Sequence, residues 1–185
     1  ANLSQWDAAA QSFVAARDAV PSADVKYRAR LGAMAGNAYL VAGEMLLALP
    51  VLDQTKTDAA NADFAALGGE VEIDRARTFV AMGDTDNAEQ ALLAARKLAP
   101  LSSRAWLLSA VLARRTDKLD DAATFIAQAD RLDADNPEIE LEAGVIAILS
   151  GDEAKAREYW TAIVTRPGNA PQKSVAQDYL AQLEE

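Results

Sequence analysis

The sequence of 185 residues contains no cysteine and no histidine. Disulfides, thiolate or imidazole metal sites, cysteine nucleophiles and imidazole-based catalytic triads are therefore excluded. General acid–base chemistry would fall to carboxylates, lysine or tyrosine, but the carboxylates cluster in turns and at the starts of predicted helices, where negative charge complements the helix dipole. Glycine spacing also fails to match a phosphate-binding loop. We predict a non-enzymatic protein with no catalytic residues, no metal and no cofactor.

Basic residues are in the minority, with 18 Lys and Arg against 28 Asp and Glu, so the net charge is −10. This deficit argues against a nucleic-acid partner, because such binders need an excess of positive charge. Long apolar runs are also missing. The most apolar stretch, residues 38–52, is interrupted by Glu44 and Pro50. We therefore expect a buried helix there and no membrane span in this chain.

The sequence begins with Ala1 rather than Met. Either an initiator Met was removed, or a longer precursor lost a leader or anchor before residue 1. The absence of cysteine fits an oxidising compartment without requiring one. Our expectation is an exported or periplasmic protein.

Alanine is abundant where aromatic residues are scarce. The chain has 42 Ala, against three Trp, four Tyr and four Phe. Alanine is the strongest helix former, and its methyl group lets neighbouring helices approach closely. The composition therefore predicts an all-α protein built of closely packed helices.

An internal repeat of 34 residues organises the second half of the chain. Two columns hold small residues, one holds turn residues and one holds bulky residues. These columns are Ala76, Ala110 and Gly144; Ala88, Ala122 and Ala156; Gly83, Asp117 and Gly151; and Leu92, Ile126 and Trp160. Such periods are typical of helical repeat proteins, in which each repeat is one helix pair.

The turn column predicts where one helix ends and the next begins. Gly83 and Gly151 each tolerate the left-handed conformation that closes a helix. Asp84 or Thr85 follows the first of them and Asp152 follows the second, and each is suited to cap the next helix. We therefore expect two antiparallel helices in each repeat. A bulky residue in the second helix is expected to fill the groove opened by the small-residue columns.

Residues 69–170 resemble three consecutive tetratricopeptide repeats, with boundaries at 69–102, 103–136 and 137–170. The resemblance rests on the repeat length, the order of small, turn and bulky residues, Trp106 at the leading aromatic position and Phe79 at a later one. It implies a right-handed α-solenoid. Residues 1–68 are expected to form an N-terminal helical region with degenerate units, and residues 171–185 a capping helix.

The N-terminal region is expected to contain helices at 25–35 and 38–49, joined by a turn at Gly36 and Asn37. This alignment places Ala29 and Gly36 47 residues before Ala76 and Gly83. The surplus over 34 is assigned to residues 50–69, where an extra helix at 55–67 would end at Gly68. About eleven helices are expected in total.

The resemblance implies a binding groove lined by the first helix of each repeat. The matching positions are aliphatic with interspersed arginine, which suits a peptide or protein segment with apolar and carboxylate groups. They are Ile73, Arg77, Val80, Arg104, Leu107, Leu108, Val111, Arg114, Arg115, Leu141, Val145 and Ile148. Members of the family that bind the C-terminal tails of chaperones hold the terminal carboxylates with a clamp of Lys and Asn side chains. The corresponding positions of this sequence do not contain those residues.

Two interpretations of function remain open on the sequence. The first is an adaptor that binds a protein or peptide partner in the groove. The alternative is a self-associating structural module of an envelope assembly. In that case residues 38–52 would supply a homodimer face, with Tyr39, Met45 and Leu46 as candidates. Arg114 and Arg115 also have a purely structural interpretation, because arginine is common in the last turn of a helix.

Overall fold

The computed structural model describes residues 3–168 and 171–184. Within these ranges the chain is all-helical, with ten helices and no strand. They are α1 (Leu3–Ala19), α2 (Val25–Ala42), α3 (Met45–Asn61), α4 (Ala65–Ala81), α5 (Thr85–Leu98), α6 (Ser103–Arg115), α7 (Leu119–Leu132), α8 (Pro137–Leu149), α9 (Glu153–Thr165) and α10 (Gln172–Gln182). The predicted boundary at 170 and the final residue, 185, lie outside the described residues. None of the described helices is long and apolar enough to cross a membrane.

The chain divides into two compact units, unit 1 over Ala1–Pro100 and unit 2 over Leu101–Glu185. In unit 1, helices α1 to α5 pack in sequence, and α2 also contacts α4. In unit 2, helices α6 to α10 pack in sequence, and α8 also contacts α6 and α10. Each unit therefore consists of antiparallel helix pairs, and the predicted helical repeat architecture is confirmed.

The turns between paired helices match the predicted turn column. Gly83 and Gly151 have φ values of 79° and 83°, and Asp117 occupies the same left-handed region at 58°. The Asp84 and Asp152 carboxylates accept hydrogen bonds from backbone N–H groups in the first turns of α5 and α9. The sequence-based placement of these turns and caps is confirmed.

The small-residue columns sit against the bulky column, as predicted. A Cβ added to Gly144 would overlap the Trp160 indole. Trp160 is buried against Ile163 and Ala176, and its ring lies 4.9 Å from the Tyr179 ring of α10. Helix α10 therefore covers apolar surface of α8 and α9, which is the packing expected of a capping helix.

The predicted helices in the N-terminal region were wrong. The turn lies at Gly43, with φ 84°, whereas Gly36 is buried inside α2. Gly68 belongs to α4 rather than ending a helix. Three predicted helices over 25–67 are therefore two, α2 and α3, followed by the start of α4.

The cause of this error is a seven-residue spacing. Ala29, Gly36 and Gly43 are each seven residues apart, so they lie two helical turns apart on nearly the same face. The small-residue and glycine pattern therefore fits in two registers. In the correct register, Gly36 and Gly43 precede Ala76 and Gly83 by 40 residues. The repeat that contains α2 and α3 is therefore six residues longer than 34, rather than thirteen.

Candidate functional site

The predicted groove residues of α6 form a mixed apolar and basic surface in unit 2. Ser102 caps α6 by accepting a hydrogen bond from the Ala105 N–H, and the helix ends at Thr116. Leu108 and Val111 are half-buried, while Arg104 and Arg115 are exposed. Residues at spacings of three, four, seven and eleven share one helix face, which places these four side chains along one stripe. We call Arg104, Leu108, Val111 and Arg115 the α6 stripe.

Two other predicted residues of α6 serve the fold of unit 2. Leu107 is half-buried and packs against the core formed by α6, α7 and α8. The Arg114 guanidinium donates to both carboxylate oxygens of Glu142 on α8, at 2.5 Å and 3.2 Å. This two-bond geometry is the strong form of an arginine–carboxylate contact. The Arg114 guanidinium, which was expected to bind a carboxylate of a partner, is therefore already paired with Glu142 inside unit 2.

The predicted residues of unit 1 offer less surface than expected. Ile73 is fully buried, so its side chain packs in the interior of the unit and has no surface to line a groove. Val80 is half-buried. The Arg77 guanidinium donates to Asp74 at 2.9 Å, and Asp74 also accepts from the Asn37 amide of α2 at 3.0 Å. Arg77 thus belongs to a polar network that joins α2 to α4.

The predicted residues of α8 lie beneath the capping helix. Leu141, Val145 and Ile148 are half-buried and pack against the cluster around Trp160. Val145 and Ile148 also line a shallow cavity of about 200 Å³, with Tyr179 of α10 on its other side. Part of the apolar surface that the sequence analysis assigned to a partner is therefore covered by the chain's own last helix.

One exposed surface of unit 1 was missed by the sequence analysis. Tyr27, Met34 and Val41 are spaced by seven along α2, and all three are exposed. Arg30 lies between them on the same face. Tyr27, Arg30 and Met34 occupy the repeat positions of Leu101, Arg104 and Leu108. The seven-residue spacing of Tyr27, Met34 and Val41 could have indicated this surface. The wrong register for the helix pair α2 and α3 concealed its correspondence with α6.

Buried carboxylates in both units are bound by arginine. Glu72 in α4 is fully buried, and its Oε2 lies 2.5 Å from Arg75 Nη1. Glu140 in α8 is also buried, and Arg166 donates to both its oxygens at 2.7 Å. The hydrogen bond to Glu140 raises the pKa of Arg166 above its ordinary value.

These pairings give the buried acids a structural role, since an ion pair compensates the cost of burying charge. Burial raises the pKa of Asp130, and the nearby charge of Glu140 raises it further. Over residues 3–168 and 171–184, no three acidic side chains are grouped so that they could hold a metal ion.

Comparison with known proteins finds a repeat family in the middle of the chain. Residues 73–137 match the family model of the tetratricopeptide repeat. This part of the chain therefore contains tetratricopeptide repeats. Proteins of this family are typically non-enzymatic scaffolds, and the general role of the repeat is protein–protein interaction.

Solved structures of other proteins share this tetratricopeptide-repeat fold. A thermophilic tetratricopeptide-repeat protein of Thermus thermophilus is 20% identical with a TM-score of 0.67, over 97% of this chain and 92% of that one. PilF of Pseudomonas aeruginosa is 17% identical with a TM-score of 0.66, over 97% and 86%. BtubC of P. vanneervenii is 13% identical with a TM-score of 0.67, over 83% and 71%. No curated protein sequence matches the chain.

Proposed function

We propose that this tetratricopeptide-repeat protein is a non-enzymatic adaptor that binds a peptide or protein segment on the α6 stripe. The observation that supports the proposal is the composition of that stripe. Leu108 and Val111 remain partly accessible between the exposed Arg104 and Arg115. Accessible aliphatic groups beside arginine suit a partner that offers apolar side chains and carboxylates.

The structure narrows the choice of test residues. Arg77 and Arg114 are bound to Asp74 and Glu142, so changing either would disturb a unit as well as a surface. Arg115 is exposed in the last turn of α6. Arg131 is exposed in the last turn of α7, a second helix of a repeat, and provides a matched control.

The proposal is tested by selecting peptides of about twelve residues from a random library on the intact chain and measuring each binder by fluorescence anisotropy. Binders of the α6 stripe are expected to lose roughly tenfold in affinity with Arg115→Glu, which corresponds to about 1.4 kcal/mol. Arg131→Glu is expected to leave their affinity within about twofold. If no selected binder distinguishes the two variants, the α6 stripe is not the binding site.

Self-association is the second candidate function, and the exposed end of the α2–α3 turn supports it. Leu46 is 77% exposed and Leu47 is 47% exposed at the start of α3. Of the other two candidates, Met45 is half-buried and Tyr39 is buried, so Tyr39 is unsuited to a dimer face. Light scattering over a range of protein concentrations tests this candidate. A mass that stays at one chain excludes it, whereas a dimer that Leu46→Glu dissociates supports it.

A further inference from the structure

The six extra residues of unit 1 lengthen α3 and α4, and these longer helices border a cavity. Helices α3 and α4 each have 17 residues, against 14 in α5 and 13 in α6. In the repeat register, α3 ends about one turn later than α5, and α4 begins about one turn earlier than α6. The additional turns meet around residues 59–68 and extend past the end of α5.

A cavity of about 490 Å³ lies between these extensions and α5. We call it the α3–α5 cavity. More than half of its lining comes from the extension itself. The lining residues are Lys56, Ala59, Ala60, Asp63, Phe64, Ala65, Gly68, Glu72, Ala94, Lys97 and Leu98. A cavity of this size and largely apolar lining is in the range that accommodates a ligand or several side chains.

The lining is mostly short side chains, so a partner can approach closely. Ala60 and Ala65 are exposed, Ala94 is half-buried, and Leu98 is 40% exposed at the end of α5. A Cβ added to Gly68 would lie 3.3 Å from Leu98, so the absence of a side chain at Gly68 leaves space in the cavity beside Leu98. Such a surface is complementary to bulky apolar side chains.

Four basic side chains lie in or beside the cavity, although the whole chain carries a net charge of −10. Lys56 and Lys97 line it and are exposed. Lys26 Nζ and Arg30 Cζ lie 4.8 Å and 5.4 Å from the centre of the Phe64 ring, which also lines the cavity. The Phe64 side chain at the N-cap position of α4 offers no hydrogen bond to the first turn, and this helix N-terminus carries partial positive charge.

The lining also holds two carboxylates, Asp63 and Glu72, which equal its two lysines in number, so the surplus positive charge comes from Lys26 and Arg30 beside Phe64. Asp63 is exposed, whereas the Glu72 side chain is 1% exposed and is bound on both sides. Its Oε1 lies 2.8 Å from Lys56 Nζ, and its Oε2 lies 2.5 Å from Arg75. Burial lowers the pKa of Arg75, but the contacts with Glu72 and Asp53 raise it by more, so the net change is an increase. Lys56 is still half-exposed, and its ammonium has further donors for a partner.

We propose that the α3–α5 cavity is a second docking site, distinct from the α6 stripe, for an acidic amphipathic segment of a partner protein. One or two bulky apolar side chains of that segment enter the cavity. Its carboxylates contact Lys56 and Lys97 at the rim. The site lies on the second helices of two repeats and on the start of α4, so it does not use the helix face on which the proposed adaptor function depends.

Ala65 and Ala66 provide a matched pair of variants for the test. Both are exposed at the start of α4, but only Ala65 lines the cavity. Ala65→Trp places a bulky ring at the cavity, and Ala66→Trp places the same ring beside it. Lys97 and Arg131 form a second matched pair, since they occupy the same repeat position at the ends of α5 and α7.

The experiment is a selection from random peptides of about twelve residues on the intact chain, at about 0.15 M salt, followed by anisotropy titrations. We expect a class of binders, rich in Glu, Asp, Leu and Phe, that loses at least about tenfold in affinity with Ala65→Trp and little with Ala66→Trp. Lys97→Glu is expected to weaken the same class several-fold, and Arg131→Glu is not. Arg115→Glu should leave this class unchanged, which separates the outcome from that of the α6 stripe.

Three results would overturn the proposal. In the first, no binder loses more affinity with Ala65→Trp than with Ala66→Trp. In the second, the binders that lose affinity with Ala65→Trp are rich in Lys and Arg. In the third, light scattering detects self-association of the chain, and Ala65→Trp abolishes it. The last result would assign the cavity to a second copy of this chain. Circular dichroism of each variant verifies that its helices are intact.

Discussion

Replacing Gly144 with alanine tests whether the small-residue column determines the packing of the last helix pair in unit 2. A Cβ at this position would overlap the Trp160 indole, which is 4% exposed and donates a hydrogen bond to the Leu141 carbonyl at 3.3 Å. The ring must therefore move. Overpacking of this kind costs about 1–3 kcal/mol, and loss of the indole hydrogen bond adds roughly 1 kcal/mol.

A second effect has the opposite sign, because alanine favours a helix over glycine by about 1 kcal/mol. The net expectation for Gly144→Ala is a loss of about 1–3 kcal/mol in the free energy of unfolding. For a chain of this size, each kcal/mol lowers the melting temperature by roughly 2–4 °C. Urea denaturation followed by far-ultraviolet circular dichroism measures the change as a shift of the midpoint.

The control is the same substitution in a Trp160→Leu background, where the indole no longer occupies the space beside residue 144. There Gly144→Ala is expected to be neutral or to stabilise by up to about 1 kcal/mol, since only the helix preference remains. A higher urea midpoint for Gly144→Ala while Trp160 is present would show that the indole does not limit the size of the side chain at residue 144.

Two further predictions concern the turn column and its caps. Asp117 holds a left-handed φ of 58° at the position occupied by glycine in the neighbouring repeats, so Asp117→Gly is expected to raise the stability by up to about 1 kcal/mol in urea titrations; an unchanged or lower midpoint would contradict this. Asp84 accepts hydrogen bonds from the Asn87 side chain and N–H, which lower its pKa, so an NMR titration is expected to give a midpoint below 3.8. Because the folded-state pKa is lowered, the stabilising effect of Asp84 is complete above the pKa of the unfolded chain and is lost as the pH falls through the folded-state pKa. Asn87→Ala should bring the midpoint back toward 3.8, and a wild-type midpoint at or above that value would argue against the cap.

Much of the fold was predictable because its signals are local. A glycine or aspartate that closes a helix acts through its own φ, and Asp84 caps through an N–H only three residues away. The 34-residue period repeats these local signals, so the turns at Gly83, Asp117 and Gly151 follow from the sequence. The same logic failed at Gly36, because a helix places seven-residue spacings on one face, and only packing against Leu52 distinguishes an internal glycine from a turn.

The candidate site was less predictable, since exposure and ion pairing depend on neighbouring helices. Arg77 and Arg114 were correctly placed on first helices of repeats, but their partners Asp74 and Glu142 could not be assigned from spacing alone. Ile73 occupies a groove position in the family pattern and is nevertheless fully buried. The function expected of the family, protein–protein interaction, needed only the repeat.

The helical class, the 34-residue repeat and the turns follow from the amino-acid sequence, because helix preference and left-handed turn positions act between residues close together in the chain. Tertiary structure alone decided which surfaces remain open. Helix α10 covers part of α8, Glu142 occupies the guanidinium of Arg114, and the six extra residues shared by α3 and α4 open a cavity beside α5. Each of these depends on contacts between residues that are distant in the sequence, and such contacts exist only once the helices have packed.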